Sequence, residues 1–172
     1  MDKKWLIVAP VATALAGAAP AYATDPVTDS NGKAHALILV PLRIVNVSDL
    51  EFGTVVSTST SGTVTIPSDG SARIVSGGVI GLPSDPGIRA EVATAGAPGQ
   101  QVLVTYSAPT QLTNLNGDTI LVLAMVMEGS PIKTIDPVTN SLFIYFGGTL
   151  LIGADQPEGN YEGTFTVTIQ YN

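Results

Sequence analysis

Cysteine is absent from this chain of 172 residues, and histidine occurs once, at position 35. No disulfide can therefore brace the fold, and neither a lipid-modified cysteine nor a zinc cluster of Cys and His ligands can form. A hydrolytic triad needs a histidine base, and His35 is the single choice. These absences argue against a lipoprotein, a zinc protein and a triad hydrolase.

Basic residues are also few, since 7 Lys and Arg stand against 14 Asp and Glu, for a formal charge of −7. So acidic a chain argues against a nucleic-acid partner. The carboxylates are scattered and mostly fall at predicted turns, where such side chains usually hydrogen-bond their own backbone. We therefore predict no catalytic residue, no cofactor and no metal site, and a protein that is not an enzyme.

What the chain does have at its start is the pattern of an export signal, residues 1–23. Lys3 and Lys4 precede an apolar run that is too short to cross a bilayer, and Ala21-Tyr22-Ala23 forms a small-x-small cleavage site. No later apolar run approaches the ~20 residues of a membrane helix. We predict cleavage of this leader, passage through the periplasm, and a final place at the cell surface or outside the cell, with no membrane span.

The remainder is typical of an all-β chain, because apolar runs alternate with Gly, Pro, Asn and Asp turns. Strands are predicted at 38–47, 50–56, 62–66, 71–76, 89–95, 101–107, 120–127, 141–152 and 161–171. Segment 120–127 is the one place where a buried helix competes, but its length and its Val, Ile and Leu content favour a strand buried on both faces. One β-sandwich over residues 42–172 follows. Its predicted core contains Phe52, Val92, Val104, Leu123, Phe143, Phe165 and Val167.

Both ends of the predicted sandwich carry an apolar strand that needs a partner. The last strand alternates apolar residues with threonines, and its apolar face consists of Phe165, Val167, Ile169 and Tyr171. The N-terminal extension, residues 24–41, has apolar residues at the even positions Ala34, Ala36, Ile38 and Val40. A slip of one residue would present His35, Leu37 and Leu39 instead. The two segments together predict β-strand addition between subunits.

The carboxy-terminal run from Phe146 to Asn172 resembles the ending of a family of uncharacterised domains in exported bacterial proteins. This run opens with Phe-Gly-Gly-Thr and ends with Gly-Thr-Phe-Thr-Val-Thr-Ile-Gln-Tyr-Asn. Segments 49–56 and 112–114 resemble other recurrent pieces of that family. The family is in turn similar to spore coat U and archaic chaperone–usher pilin subunits, in its leader, its early Leu-x-Phe-Gly strand and its last strand ending in Tyr.

The resemblance to pilins implies an incomplete immunoglobulin-like β-sandwich that is completed by donor-strand exchange. A periplasmic chaperone would hold the subunit, an outer-membrane usher would receive it, and the extension of another copy or a related subunit would complete it. The implied donor residues are Ala34, Ala36, Ile38 and Val40, and the implied acceptor groove includes Phe165, Val167, Ile169 and Tyr171. The expected function is a structural subunit of a surface filament, a pilus or fimbria, that serves adhesion or biofilm formation.

Two other functions remain open from the residues alone. In the first, the extension folds back into the groove of its own domain, and a secreted monomer binds glycan or matrix. In the second, a pair of carboxylates brought together by the fold gives a secreted hydrolase. One departure from the pilin pattern is that many such subunits have a disulfide near the start of the domain, whereas this chain has no cysteine.

Overall fold

The computed structural model describes residues 33–172. The predicted leader and the first part of the extension, residues 1–32, lie outside the described residues. Residues 33–36 belong to a unit separate from residues 37–172. They are exposed and have no regular secondary structure.

Residues 37–172 form ten strands, all in antiparallel pairs, and this described part contains no helix. The strands are β1 (Arg43–Ser48), β2 (Val55–Ile66), β3 (Ile74–Gly81), β4 (Ala90–Ala95), β5 (Gln101–Ser107), β6 (Gln111–Thr113), β7 (Thr119–Met127), β8 (Ile132–Thr134), β9 (Ser141–Ile152) and β10 (Thr166–Tyr171). The predicted all-β class is thus confirmed.

A 7-stranded sheet faces a 3-stranded sheet in which β5 lies between β10 and β8. Strand β9 is the centre of the large sheet. It pairs with β4 over its first half and with β2 over its second, and β7 follows its other edge. Strand β1 pairs with β4 and ends the large sheet on one side. The curled antiparallel sheets are consistent with the predicted β-sandwich.

Two apolar clusters line the inner face of the large sheet. We call the first the closed half; its buried residues are Ala90, Val92, Val102, Val104, Met127, Ile135, Ile144 and Phe146. Residues of β5 belong to it and those of β10 pack against it, so the small sheet covers this half. We call the second the open half; its buried residues are Val64, Val79, Ile120, Leu150 and Ile152. Irregular segments that carry Phe52 and Tyr161 contribute to its cover.

Two of the predicted core residues are wrong. Phe143 and Leu123 are 49% and 54% exposed. On β9 the even-numbered residues face inward, from Leu142 to Ile152, so Phe143 lies on the outer face. A bulge between Val122 and Ala124 shifts the pairing of β7 with β9. Leu123 lies in this bulge, and its side chain is on the outer face of the sheet. Strand β7 is therefore not buried on both faces, as the apolar run had indicated.

Several predicted strand bounds also differ from the structure. Residues 38–42 and 161–165 lie outside the two end strands, which are β1 and β10. Strand β2 includes the last two residues of the predicted strand 50–56 and all of the predicted strand 62–66, and its polar middle is a bulge against β3. The Ser and Thr run of that bulge has no hydrophobic alternation, so the sequence pattern gave no sign of continuity.

Candidate functional site, a groove between the first and last strands

Strands β1 and β10 each have one edge that no other strand within residues 33–172 occupies. The N–H of Asn172 donates to Gln101 on β5 at 3.0 Å. Because hydrogen-bonding direction alternates along an antiparallel strand, the N–H and C=O groups of Val167, Ile169 and Tyr171 point away from β5. Consistently, Val104, opposite Ile169, donates to Pro131 at 2.8 Å on the far side. Strand β10 thus presents a row of main-chain groups on its outer edge.

A groove runs between these two edges and continues over the open half. Its main cleft has a volume of about 1290 Å³ and is flanked by Ile44 and Asn46 on the β1 side and by Phe165 and Val167 on the β10 side. A narrower recess of about 240 Å³ shares Ile44 and Val167 with the cleft and reaches Ile169. The main cleft exceeds the roughly 300–1,000 Å³ of a typical small-molecule pocket. Its length along two strands suits an extended segment of chain.

Three of the four predicted acceptor residues line this groove, namely Phe165, Val167 and Ile169. Phe165, Val167, Ile169 and Tyr171 all pack against the closed half, and all remain only partly buried. Sequence reasoning missed the opposite wall, which Ile44 and Asn46 of β1 form. The alternation of apolar residues through Ile44 was the available signal, because it predicts one inward face for the first strand.

The predicted donor residues lie outside regular structure. Ala34 and Ala36 are exposed, and Ile38 is 93% exposed. His35 is exposed in the same unpaired segment. Val40 contacts an acceptor residue, since its carbonyl oxygen accepts a hydrogen bond of 2.6 Å from the Tyr171 hydroxyl. We call residues 33–40 the arm.

One end of the groove is acidic. Its lining includes Asp49, Glu51, Asp85, Glu158 and Glu162, and no basic residue of the described chain lines it. The Thr54 hydroxyl donates to the Asp85 carboxylate at 2.7 Å and lowers the pKa of that carboxyl below its usual 3.8. The Asp85 carboxylate therefore keeps its negative charge to a lower pH than an unperturbed aspartate would, and this charge favours a positively charged occupant.

Arg73 fixes the wall at the acidic end. Its Nη1 donates to the carbonyl oxygens of Phe52 and Asp85, both at 2.9 Å, and to Thr54 at 3.2 Å. Its Nη2 donates to Leu82 at 2.9 Å. The guanidinium thus joins two loops whose residues line the groove. A sequence search for charged pairs cannot find this residue, because its acceptors are main-chain atoms.

Gly53 makes the arginine clamp possible. Its φ is +69°, and a Cβ there would lie 2.6 Å from Arg73 Nη1 and 2.3 Å from the Asp85 carbonyl oxygen. Any side chain would clash with the clamp as well as strain the backbone. The clamp therefore explains why glycine occupies the last position of the Leu-x-Phe-Gly motif in this chain.

Within residues 33–172, no group of three His, Asp or Glu side chains is placed to hold a metal ion. Over that range, too, no helix is long and apolar enough to cross a bilayer.

Comparison with known proteins identifies a family. The family model described as Domain of unknown function (DUF4402) matches residues 42–171, and the chain belongs to this family. The predicted membership of a family of uncharacterised domains is thus confirmed. No curated protein matches the chain, and no solved structure does.

Proposed function

We propose that this member of the DUF4402 family is a non-enzymatic structural subunit that accepts a β-strand from a second copy and so polymerises into a bacterial surface filament. The observation that carries the proposal is the groove between β1 and β10, in which apolar side chains and outward-facing main-chain groups lie along the same strand. A further strand would cover the former and pair with the latter.

The arm of a second copy fits the groove in pattern and charge. Residues 34–40 are about as long as β10, and Ala34, Ala36 and Ile38 stand on one face of an extended segment. Lys33 brings the positive charge that an acidic groove favours. Ile38 and Leu37 are 93% and 76% exposed, so burying Ile38 in another copy's groove would contribute about 1.5–3 kcal/mol.

The similarity to spore coat U and archaic chaperone–usher pilins supports the same assignment. On this proposal the subunit is exported by its leader and has an immunoglobulin-like sandwich completed by donor-strand exchange. A periplasmic chaperone and an outer-membrane usher are its transient partners. The finished pilus or fimbria lies at the cell surface or outside the cell, where it serves adhesion or biofilm formation.

The test compares two substitutions on opposite faces of the arm. We expect Ile38→Asp in the full chain to abolish multimers, because a carboxylate cannot enter the apolar groove. Leu37→Asp is the matched control, since it adds the same charge one position away on the other face, and it should leave multimers in place. Size-exclusion chromatography and denaturing gels run without heating measure the multimer content of each variant. The reverse result would place His35, Leu37 and Leu39 in the groove.

A peptide experiment identifies the occupant. A synthetic peptide of residues 29–41 should raise the melting temperature of a chain that lacks residues 24–40, whereas the same peptide with Ile38→Asp should not. If the shortened chain is a monomer whose melting temperature does not respond to the peptide, and the full chain is also monomeric, the proposal is wrong. A self-contained module that binds glycan or matrix would then be favoured.

A further inference from the structure

We infer that Tyr171, Val40 and Pro41 form an exit guide, which directs the arm away from the groove of its own domain and leaves that groove for a second copy. The inference rests on the proposed function. It adds the residues that decide between a neighbour's arm and the chain's own.

The Tyr171 hydroxyl is fully engaged at the point where the arm meets the domain. It donates to the Val40 carbonyl oxygen at 2.6 Å and accepts from the Ala97 N–H at 2.7 Å. Gly96 permits this approach, because a Cβ at that position would lie 2.7 Å from the hydroxyl oxygen and 2.7 Å from Leu42 Cδ2. The last strand therefore holds the residue before Pro41 beside the turn that follows β4.

To fill its own groove, the arm would have to reverse direction and run antiparallel to β1. Leu42 already lines the narrower recess and β1 begins at Arg43, so the reversal would have to centre on Val40 and Pro41. Tight hairpin turns need positive φ at one or both central residues, usually supplied by Asn or Gly. Valine is strained there, and the proline ring fixes φ near −65°.

The two devices act together. The Val40-Pro41 sequence opposes the tight turn, and the Tyr171 hydrogen bond holds Val40 in the outgoing direction. Leu37 and Ile38 are 76% and 93% exposed, so neither side chain fills the groove. A neighbour's arm needs no such reversal, since it enters the groove from outside.

The experiment replaces the guide in the full chain. The double variant Val40→Asn/Pro41→Gly supplies an Asn-Gly hairpin turn, and Tyr171→Phe removes only the hydroxyl. Tyr106→Phe is the matched control, because it also loses a hydroxyl bond to a main-chain oxygen, that of Met125 at 3.0 Å, away from the arm. Analytical ultracentrifugation gives the monomer fraction. Fluorescence anisotropy of a labelled peptide of residues 29–41, measured on the monomer fraction, gives the affinity of the peptide for the groove.

We expect the double variant to be monomeric and to bind the peptide at least about tenfold more weakly than the natural chain, because its own arm competes. Tyr171→Phe should weaken peptide binding by about threefold, and Tyr106→Phe should change it by less than about twofold. A cooperative melt verifies folding of each variant.

Two results would overturn the inference in distinguishable ways. If the natural chain binds the peptide and the double variant binds it equally well and still forms multimers, the exit guide is wrong and the proposed function stands. If the natural chain neither binds the peptide nor forms multimers, the proposed function fails and the guide fails with it.

Discussion

Strand β9 passes from the closed half of the sandwich to the open half, and the two halves differ in what covers them. Ile144 and Ile152 are both inward-facing isoleucines on this strand, with exposures of 0% and 2%. The first lies under the small sheet, whereas the second lines the groove. Equal burial therefore does not mean equal surroundings: one side chain sits in packed strands, and the other lies beside space that a further segment can enter.

The cause of this difference is the unequal size of the sheets. Three strands face seven, so the small sheet cannot cover the whole inner face of the large one. The remaining apolar residues of the open half receive partial cover from Phe52, Leu112 and Tyr161. Part of the cover of the second cluster therefore comes from irregular segments, and a cleft remains beside it.

The closed half should show the largest effect of a single substitution. Phe146 is fully buried, and its ring lies 5.1 Å from that of Tyr106 and 5.7 Å from that of Phe165. Phe146→Ala should lower the free energy of unfolding by about 3–5 kcal/mol, measured by urea denaturation. Phe143→Ala, three residues earlier on the outer face, is the control, with an expected loss below about 1 kcal/mol. Equal losses would mean that the closed half is not the packed core.

The two isoleucines test the comparison directly. Ile144→Ala should cost free energy of unfolding near the top of the range of about 2–5 kcal/mol, and Ile152→Ala near the bottom, because the groove lets its surroundings relax. Adding the peptide of residues 29–41 should increase the loss at Ile152 and leave that at Ile144 unchanged. If the peptide changes the loss of unfolding free energy equally at Ile144 and Ile152, the two halves do not differ in what covers them.

The arginine clamp should matter chiefly to the open half. Arg73→Met should cost about 2–3 kcal/mol of unfolding free energy, because hydrogen bonds from a charged donor to several carbonyl oxygens are lost. Hydrogen exchange should accelerate in residues 51–54 and 82–87 and remain unchanged in β5. Arg43→Met, an exposed change of the same type on β1, should stay within about 0.5 kcal/mol. Faster exchange spread over both halves would contradict a local role.

The smallest expected effect concerns the Asp85 carboxyl. Its pKa is lowered chiefly by the Thr54 hydroxyl, so this bond stabilises the fold fully above pH 3.8 and the contribution is lost as pH falls through the lower folded pKa. Thr54→Val should raise the pKa of Asp85 toward 3.8, measured by carbon NMR titration. The pKa of Asp136, lowered by the N–H groups of Thr139 and Val138, should not move. An unchanged Asp85 value would exclude Thr54 as the cause.

Much of the fold could be predicted from local pattern. Strands β5 and β9 begin and end where the sequence predicts, because Gly, Pro and Asn turns bound them clearly. The inward set on β10 was also predictable, since strict alternation over Val167, Ile169 and Tyr171 leaves one apolar face. Where alternation was broken by consecutive apolar residues, as at Leu123 and Phe143, residue type could not tell which face is inward.

The groove itself could be predicted only in part. The apolar face of β10 is a local property, but the facing wall at Ile44 depends on which strand ends the other sheet, and that is set by long-range pairing. The exit guide is likewise invisible in sequence, because Tyr171 and Val40 are separated by 131 positions. Tyrosine at the end of a strand is compatible with many roles, and only the hydrogen bond to Val40 indicates a role in positioning the arm.

The position of the arm directly before β1 also determines how a mechanical load would enter the domain. The arm continues covalently through Pro41 and Leu42 into β1, so tension applied to it passes along that strand. Strand β1 is joined to β4 by residue pairs from Arg43 to Ser48. A force directed along β1 would shear these pairs together, whereas a force across the strand would break them one after another. The bond from the Tyr171 hydroxyl to Val40 lies just before the first pair and adds one tie between the last strand and the segment that carries the load.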